Sequence, residues 1–452
     1  MKYFLWLGLL CASGMVSGQK SITDQMHRYL QAQVDTHQFS GAVLVVHHGK
    51  IICDKAFGLA NREWQTANTT DTRFPICSLT KQFTAAAILQ LQEQGKLKTS
   101  DALSNYFPNF PKATQVTLHM LLNHTSGIRE CTRDAKWSGL NPNLPVSVLK
   151  DSMLATFQNK PYDFEPGTFW GYSNSGYLLL GFIIEQVSGM SYNDYIRKNL
   201  LDKAGMNQSG PLTHNGIVPK MANAYSLLTG TWTKADTHAI EAVFAAGNLY
   251  ATTHDLNRWR QALLSGKIIS DASVQLMHTP NKIDYGAGYG IFVERFFNRK
   301  AWFHNGALSG INTYMIDYPD DHLRIIVLTN RDTNLDFIPM GLAGIVFGYD
   351  VQLSHRRTRS KKAPAVSALV GTYRAAHIPF PIELIEKDQK LYWRTHRDIE
   401  MVPESDRLFF VDEPDVEFQV EFDYGSDQKI AKAFAIEGGV RVPMIRTAAS
   451  GK

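Results

Sequence analysis

The stretch from Phe74 to Gly95 constrains the fold more than any other part of the chain. Its body, residues 85–91, consists almost entirely of alanine, isoleucine and leucine, which is typical of a helix buried on most of its surface. Pro75 and Ser78 mark the predicted N-terminus of this helix, and Gly95 marks its end. We therefore expect a buried helix around which the other elements are arranged.

Ser78 and Lys81 stand three residues apart at the start of this predicted helix. That spacing places both side chains on one face, about one turn apart, with the hydroxyl within reach of the ammonium. If burial lowers the pKa of Lys81, its neutral amine can take the proton of Ser78 and make that residue a nucleophile. The alternative is structural, because a serine at a helix start is usually an N-cap.

The composition is that of a globular protein. Hydrophobic residues make up 44% and charged residues 19% of the 452 residues, a length sufficient for two or three domains. The formal net charge of +4 is small and shows no concentrated basic face. Nucleic acid is therefore not an expected partner.

Residues 1–18 predict a secretory signal peptide. Lys2 supplies a positive charge, residues 3–10 form a short apolar run, and residues 16–18 are small enough for cleavage. Because the run is too short to span a bilayer, we expect export to the periplasm or the medium, with no stable membrane span after cleavage. An uncleaved anchor and lipid attachment at Cys11 are the alternatives.

Three cysteines follow this segment, namely Cys53, Cys77 and Cys131. They do not form a disulfide framework, although one bridge is left open. No histidine and cysteine spacing suggests zinc, so neither a metal nor a cofactor is expected. Cys77 adjoins Ser78 but lacks a base at helical spacing, and we interpret it as a small buried thiol.

Strands are predicted near both ends of the first 350 or so residues, with helices between them. The predicted strands are residues 41–47, 50–53, 288–293, 301–304, 313–317 and 323–328, and residues 58–61 are expected to continue the same sheet. The predicted helices include residues 22–37, 146–157, 177–187, 192–200, 256–264 and 338–347. This pattern favours an α/β fold in which one antiparallel sheet is flanked by helices, with an additional helical subdomain.

A change in composition divides the chain. Residues 19–355 are predicted to form the α/β domain, and the basic run 356–364 is interpreted as a solvated linker, with contact to a surface or cell-wall polyanion as the alternative. Residues 365–452 contain short strand patterns, among them strict period-two alternation over residues 416–424. We expect a small all-β barrel or sandwich there.

A serine acyl-transfer enzyme also needs a proton relay, two backbone donors for the oxyanion and an edge that holds the substrate. Tyr172 and Asn174 stand just before a predicted buried helix, so both can project into a cleft. His304-Asn305-Gly306 ends a predicted strand, where the glycine lets a substrate backbone approach. Taken singly, Tyr172 reads as a packing aromatic, Asn174 as an N-cap and His304 as a strand histidine.

Taken together, these residues resemble the three signatures of the serine β-lactamase and penicillin-binding protein superfamily. In order, they are Ser-x-x-Lys at residues 78–81, Tyr-x-Asn at 172–174 and Lys/His-x-Gly at 304–306. The chain looks like the branch that holds class C β-lactamases, D,D-carboxypeptidases, D-aminopeptidases and related esterases. Flanking stretches typical of that branch are Leu121–Gly127, Pro166-Gly167 and Ala246–Leu249. The resemblance covers residues 22–348, and the C-terminal segment is similar to the small barrel that some of these hydrolases carry.

The resemblance implies a role for each matching residue. Ser78 would attack the substrate carbonyl and become acylated, while Lys81 and Tyr172 would share the acid and base work. The implied substrate-binding residues are Asn174, His304, Asn305 and Gly306, and the implied oxyanion hole is formed by the backbone N–H groups of Ser78 and Ala307.

We therefore expect an exported serine hydrolase that cleaves small amides or esters, such as D-amino-acid peptides or peptidoglycan fragments. The alternatives are a carboxylesterase or β-lactamase on the same scaffold, and a penicillin-binding sensor that is acylated once without turnover. His304 replaces the lysine of most β-lactamases, and a neutral histidine would hold a carboxylate less firmly, which disfavours β-lactamase activity. The oligomeric state is left open.

Overall fold

The computed structural model describes residues 21–137, 140, 146–213, 216–228, 230–235, 240–283, 286–333, 335–360, 365–375, 378, 380–413 and 417–447. The predicted signal peptide, residues 361–364 of the predicted linker and Val416 of the predicted period-two strand lie outside the described residues. Within the described ranges, no helix combines the length and apolarity needed to cross a membrane.

Most helices lie in the middle of the chain, as the sequence predicts, with one more near each end of the sheet domain. They are α1 (Ile22–Asp35), α2 (Lys81–Glu93), α3 (Leu118–Leu122), α4 (Val146–Ala155), α5 (Asn174–Ser188), α6 (Tyr192–Ile196), α7 (Asp202–Ala204), α8 (Ile240–Gly247), α9 (Thr253–Leu264), α10 (Asp271–Met277) and α11 (Phe337–Val346). A 3₁₀ turn, Cys77–Thr80, precedes α2 directly, and a π-helical stretch, Arg197–Leu201, joins α6 to α7.

Strands are distributed over both ends of this region. They are β1 (Gly41–His47), β2 (Lys50–Phe57), β3 (Leu59–Asn61), β4 (Thr66–Ala67), β5 (Phe74–Pro75), β6 (Gly210–Pro211), β7 (Tyr225–Leu228), β8 (Thr231–Lys234), β9 (Leu249–Ala251), β10 (Phe292–Phe296), β11 (Arg299–Leu308), β12 (Ile311–Tyr318), β13 (Leu323–Thr329) and β14 (Asp350–Val351).

The centre of the fold is a six-stranded antiparallel sheet in the order β10-β11-β12-β13-β1-β2. Both faces of this sheet are buried. On β1, Leu44 and Val46 belong to the core formed with α2, α5 and α9, whereas Val43 and Val45 belong to the core formed with α1 and α11. Coverage on both faces explains why β1 is a continuous apolar run instead of an alternating one.

The expectation that residues 58–61 continue this sheet is wrong. β2 ends at Phe57, and Gly58 adopts a φ of 70°, a left-handed conformation that turns the chain off the sheet. β3 then pairs with β4 in a separate two-stranded ribbon, and β2 remains an edge of the central sheet.

A closed antiparallel barrel follows the sheet domain. Its strands are β15 (Gly371–Ala375), β16 (Ile382–Lys387), β17 (Lys390–Arg394), β18 (Asp398–Pro403), β19 (Leu408–Val411), β20 (Phe418–Tyr424), β21 (Ile430–Glu437) and β22 (Val440–Arg446). The barrel closes because β22 pairs with both β15 and β21. The predicted fold class, an antiparallel sheet flanked by helices with a small C-terminal all-β barrel, is confirmed. The domain limits stay predictions, and β14, which precedes the predicted linker, pairs with β22.

The described part of the basic run lies along the barrel. Arg357 pairs with Glu417 at 2.6 Å and Arg359 with Asp412 at 2.5 Å. The backbone N–H of Ser360 donates to the carbonyl of Pro403 at 2.8 Å. Acidic barrel residues therefore neutralise these two arginines, which weakens the interpretation of the run as a polyanion contact.

The barrel shares an apolar core with the sheet domain. Residues of α1, α11, one face of the central sheet and the barrel form one contiguous buried cluster. At its centre, the buried hydroxyl of Tyr29 lies 3.2 Å from the carbonyl oxygen of Phe337 and 2.9 Å from that of Gly438. One side chain of α1 thus joins α11 to the β21–β22 turn.

Replacing Tyr29 with phenylalanine tests this joint. The substitution removes the one hydroxyl hydrogen that these two buried carbonyl oxygens share, so the free energy of unfolding should fall by about 1–3 kcal/mol. Urea denaturation of full-length Tyr29→Phe measures the change. The matched control is Tyr424→Phe, whose hydroxyl makes an exposed contact with the carbonyl of Asp406 at 3.3 Å and should lose less. Equal effects in the two variants would contradict a joint at Tyr29.

Candidate active site

Ser78 lies in the 3₁₀ turn that connects β5 to α2, and the helix proper begins only at Lys81. Cys77 adopts a φ of 49°, the left-handed region that side chains rarely occupy. The two neighbours of Ser78, Cys77 and Leu79, are buried, whereas Ser78 itself is partly exposed and lines a cavity. This conformation, unusual for a residue other than glycine, presents the hydroxyl at the surface of a cleft.

Lys81 is fully buried, with 0% of its side chain exposed. Its Nζ lies 3.1 Å from Ser78 Oγ, 2.7 Å from Asn174 Oδ1 and 2.8 Å from the carbonyl oxygen of Ala246. Burial lowers the pKa of Lys81 to about 7, and the carboxylate of Glu130 opposes part of that shift. At neutral pH, a large fraction of the amine is therefore uncharged.

The last turn of α8 directs one carbonyl group at Lys81, and this helix is also kinked. Phe244 interrupts it with φ 31° and ψ −126°, while its ring stacks on Phe182 with centroids 5.2 Å apart. Beyond the break, the carbonyl of Ala245 accepts from Thr84 Oγ1 at 2.7 Å and that of Ala246 accepts from Lys81. Both acceptors point toward α2 instead of continuing the helical ladder.

Asn174 begins α5, and a buried carboxylate that the sequence analysis missed holds its side chain. Glu130 Oε1 accepts from Asn174 Nδ2 at 2.9 Å, and Glu130 Oε2 accepts from the Asn174 backbone N–H at 2.5 Å. These two bonds orient Asn174 so that its Oδ1 faces Lys81. No spacing rule connects Glu130 with Asn174, 44 residues away; the only signal is its position just after the Leu121–Gly127 stretch.

Tyr172 packs beside the Ser78–Lys81 pair. Lys81 Nζ lies 4.9 Å from the centre of its ring, and the ring stacks on that of His124 at 4.5 Å. Burial raises the pKa of Tyr172 well above its ordinary value, while a hydrogen bond with Ser78 acts in the opposite direction. The phenol therefore keeps its proton at neutral pH and is placed to donate it.

β11 packs directly against the 3₁₀ turn. A Cβ added to Gly306 would come within 2.8 Å of both the Ser78 nitrogen and the Ile76 carbonyl oxygen, so only glycine fits here. Thr313 Oγ1, on the neighbouring strand, donates to the same Ile76 carbonyl at 3.0 Å. The close approach brings Ala307 to the cleft beside Ser78, where both residues line the same cavities.

The structure places His304 behind the cleft instead of on its surface. The residue is 1% exposed, and burial lowers its pKa to about 3, with the charge of Lys81 adding to the effect. Its Nδ1 lies 2.5 Å from the carbonyl oxygen of Asn305, so Nδ1 carries the proton and Nε2 is the free lone pair. His304 is thus a neutral group at pH 7, whereas Asn305, Gly306 and Ala307 line the cavity.

Two cavities meet at Ser78, Asn174 and Ala307. One, of about 490 Å³, extends toward Thr132, Arg133 and Trp137 and is bounded by α8. The other, of about 720 Å³, extends past Tyr172 and along β10 and β11. A substrate whose scissile bond lies at Ser78 thus has room on either side.

Two of the three cysteines lie next to this arrangement, since Cys131 Sγ donates to Glu130 Oε1 at 3.6 Å and Cys77 lines the smaller cavity. Cys53, Cys77 and Cys131 are free and buried, and burial raises the pKa of each thiol, to about 11 for Cys53 and about 12 for Cys77. Among the described residues, no group of three or more histidine, cysteine and acidic side chains converges on a point where a metal ion could bind.

Fold and site together define a class of protein, in which a helix-flanked antiparallel sheet carries a Ser–Lys pair at the start of a buried helix. A family model described as "Beta-lactamase" matches residues 26–343, and the chain belongs to that family. This confirms the superfamily that the three sequence signatures predict.

Similar proteins agree with this assignment. The chain is 29% identical to "Penicillin-binding protein 4*" of Bacillus subtilis (strain 168) over 93% of its own length and 98% of that protein's. It is 31% identical to "Putative penicillin-binding protein PbpX" of the same organism, over 66% and 72%. The crystal structure of D-amino acid amidase from Ochrobactrum anthropi SV3 complexed with D-phenylalanine shares the fold, with a TM-score of 0.64, 21% identity and coverage of 72% and 97%.

Replacing Glu130 with glutamine should shift the pH range in which Ser78 reacts. Because the Glu130 carboxylate raises the pKa of Lys81, its loss should lower that pKa further below about 7. The labelling rate of Ser78 by a fluorophosphonate, followed by mass spectrometry across pH, should then reach half its maximum at a lower pH than in the wild type.

The control for this experiment is Glu165→Gln. Glu165 is exposed and pairs with Lys112 at 2.5 Å, so its removal should leave the midpoint unchanged. An unshifted or raised midpoint in Glu130→Gln would contradict the electrostatic coupling of Glu130 to Lys81.

Proposed function

We propose that this protein is a serine hydrolase that cleaves small amides or esters through an acyl-enzyme on Ser78. The observation that carries the proposal is the 3.1 Å contact between Ser78 Oγ and a buried amine at the junction of two cavities. Membership of the beta-lactamase family supports the same chemistry.

Lys81 is the proposed general base. A neutral amine has two N–H bonds and one lone pair, and three oxygen atoms surround Lys81 Nζ. Because Asn174 Oδ1 and the Ala246 carbonyl can only accept hydrogen bonds, they take up the two N–H bonds. The lone pair is then directed at Ser78 Oγ, whose proton it accepts as the oxygen attacks the substrate carbonyl.

The oxyanion and the leaving group need separate partners. We assign the oxyanion hole to the backbone N–H groups of Ser78 and Ala307, which the close approach of Gly306 brings to one cleft. Tyr172, whose raised pKa keeps it protonated, would pass a proton to the leaving group as the scissile bond breaks. Lys81 would then return a proton to Tyr172. Water then attacks the acyl-enzyme and passes a proton to Lys81, and this proton returns to the Ser78 oxygen as the acyl group leaves as an acid.

D-amino-acid amides, peptides and peptidoglycan fragments are the proposed substrates, and the protein is proposed to act after export. The named penicillin-binding relatives and the D-amino acid amidase of similar fold support this substrate class. The neutral His304 argues against a tightly held substrate carboxylate, which ranks β-lactam hydrolysis below amide and ester hydrolysis.

Turnover of a D-aminoacyl amide, a nitrophenyl ester and a chromogenic cephalosporin by the full chain tests the proposal. Ser78→Ala should lower turnover of the preferred substrate by about a thousandfold or more, because the nucleophile is lost. The control Ser104→Ala removes a hydroxyl that lines neither cavity at Ser78 and should retain wild-type rates. Full turnover in Ser78→Ala, or a lasting adduct on wild-type Ser78 without product, would contradict a hydrolase.

The pH dependence of kcat/KM gives an independent check. Below pH 7, Lys81 is protonated and cannot accept the Ser78 proton, so kcat/KM should fall as pH decreases through about 7. This fall in kcat/KM should be visible with a nitrophenyl ester after subtraction of spontaneous hydrolysis. A fall centred near the ordinary lysine pKa of about 10.4 would mean that burial does not lower the pKa of Lys81, and no fall at all would mean that Lys81 is not the base.

A further inference from the structure

The larger cavity at Ser78 is bounded by both parts of the chain. Ser78 and Tyr172 line one end, and Phe292 and Phe303 of β10 and β11 line its length. Ile378 and Phe380, which lie between β15 and β16, belong to the barrel and line the same cavity. The barrel is therefore part of the wall of the space that opens from the reactive hydroxyl.

An open sheet edge makes this continuity possible. The pairing of β10 with β11 runs from Arg299 to Phe303, so residues 304–308 have no strand partner on that side among the described residues. Because the edge is uncovered, the cavity passes around it from Ser78 to Tyr314 and Met340, which lie on the barrel side of the sheet.

Phe380 is positioned on the barrel and yet remains available to a ligand. Its ring stacks on Trp393 with centroids 6.4 Å apart, and Trp393 stacks in turn on Phe418 at 4.4 Å. The barrel thus fixes one face of the ring, while 50% of the residue stays exposed. An aromatic side chain fixed on one face and open on the other is suited to contact with an apolar group.

The charge in this cavity narrows the kind of group that fits. Asp336 and Glu437 both line this cavity, and both residues are exposed. Two carboxylates disfavour an anionic substituent in the same space. Half of the other lining residues are aromatic, which favours an uncharged apolar group.

We propose that the barrel forms the outer wall of a substrate subsite in which Ile378 and Phe380 contact an uncharged apolar group of the substrate. This deepens the proposed function and rests on it, since the group is attached to the bond that Ser78 attacks. The C-terminal barrel is then a specificity element of the active site.

Two matched substrate pairs test the subsite in the full chain. The nitrophenyl esters of acetate and 3-phenylpropionate vary the acyl group, and methyl and benzyl acetate vary the leaving group. In one of the pairs, Phe380→Ala should reduce the kcat/KM preference for the larger member by about tenfold, the usual effect of one lost apolar contact in a pocket. Phe380→Leu should keep part of that preference.

The control variant is Ile445→Ala. Ile445 is an apolar barrel residue that is 74% exposed and does not line the cavity, so its truncation should leave both preferences at the wild-type value. An unchanged preference in both pairs for Phe380→Ala, with wild-type Tm, would overturn the proposal.

A binding measurement separates this inference from the proposed catalysis. Fluorescence of the neutral probe N-phenyl-1-naphthylamine reports binding to Ser78→Ala protein, in which no turnover occurs. Adding Phe380→Ala should raise the Kd of the probe by about tenfold, and adding Ile445→Ala should leave it unchanged. Weakened binding without any turnover by wild-type protein would support the subsite and contradict the hydrolase. Equal or absent binding in both proteins would overturn the subsite, whatever the catalytic result.

Discussion

The contact on which the rest of the site depends is that between the Lys81 amine and its three oxygen neighbours. An amine is a useful base at neutral pH only if water is kept away from it, because hydration stabilises the charged form. The buried Lys81 begins α2, α5 contributes Asn174, and the broken helix α8 contributes the Ala246 carbonyl. Three elements from distant parts of the chain must therefore pack correctly before the Ser78 hydroxyl faces a lone pair.

Desolvation sets the charge of the whole site. The same burial that favours the neutral form of Lys81 also favours the neutral forms of Tyr172 and His304. The Glu130 carboxylate lies beside these groups and accepts hydrogen bonds from the Asn174 side chain and backbone. In the proposed mechanism, the neutral Lys81 amine and the neutral Tyr172 phenol form a proton-transfer system in which the surrounding core takes part.

The barrel belongs to the same physical unit as the site. It shares an apolar core with α1, α11 and one face of the central sheet, and the other face of that sheet packs on the helices that carry Lys81 and Asn174. The sheet is thus a common wall between the reactive pair and the barrel. At its open edge beyond Phe303, the larger cavity connects the two sides of the sheet.

Local patterns in the sequence determined much of this protein. Hydrophobic periodicity near 3.6 predicted α1, α2, α5 and α9, and short apolar runs predicted most strands of the central sheet, because these patterns depend only on which faces are buried. The Ser78–Lys81 contact was predictable for the same reason, since a spacing of three acts within one turn. Recognition of the distant partners Tyr172 and Asn174 needed the family resemblance, because no periodicity relates them to Ser78.

Only the tertiary structure decided the features that depend on contacts between distant segments. Among them are the Glu130–Asn174 bonds, the approach of the Ala246 carbonyl to Lys81, and the burial of His304 behind the cleft. The turn at Gly58, which removes β3 from the main sheet, depends on a backbone angle that a strand-like composition does not reveal. The chain's sequence therefore determined which groups are chemically able to react, whereas packing decided their charge, their orientation and the walls around them.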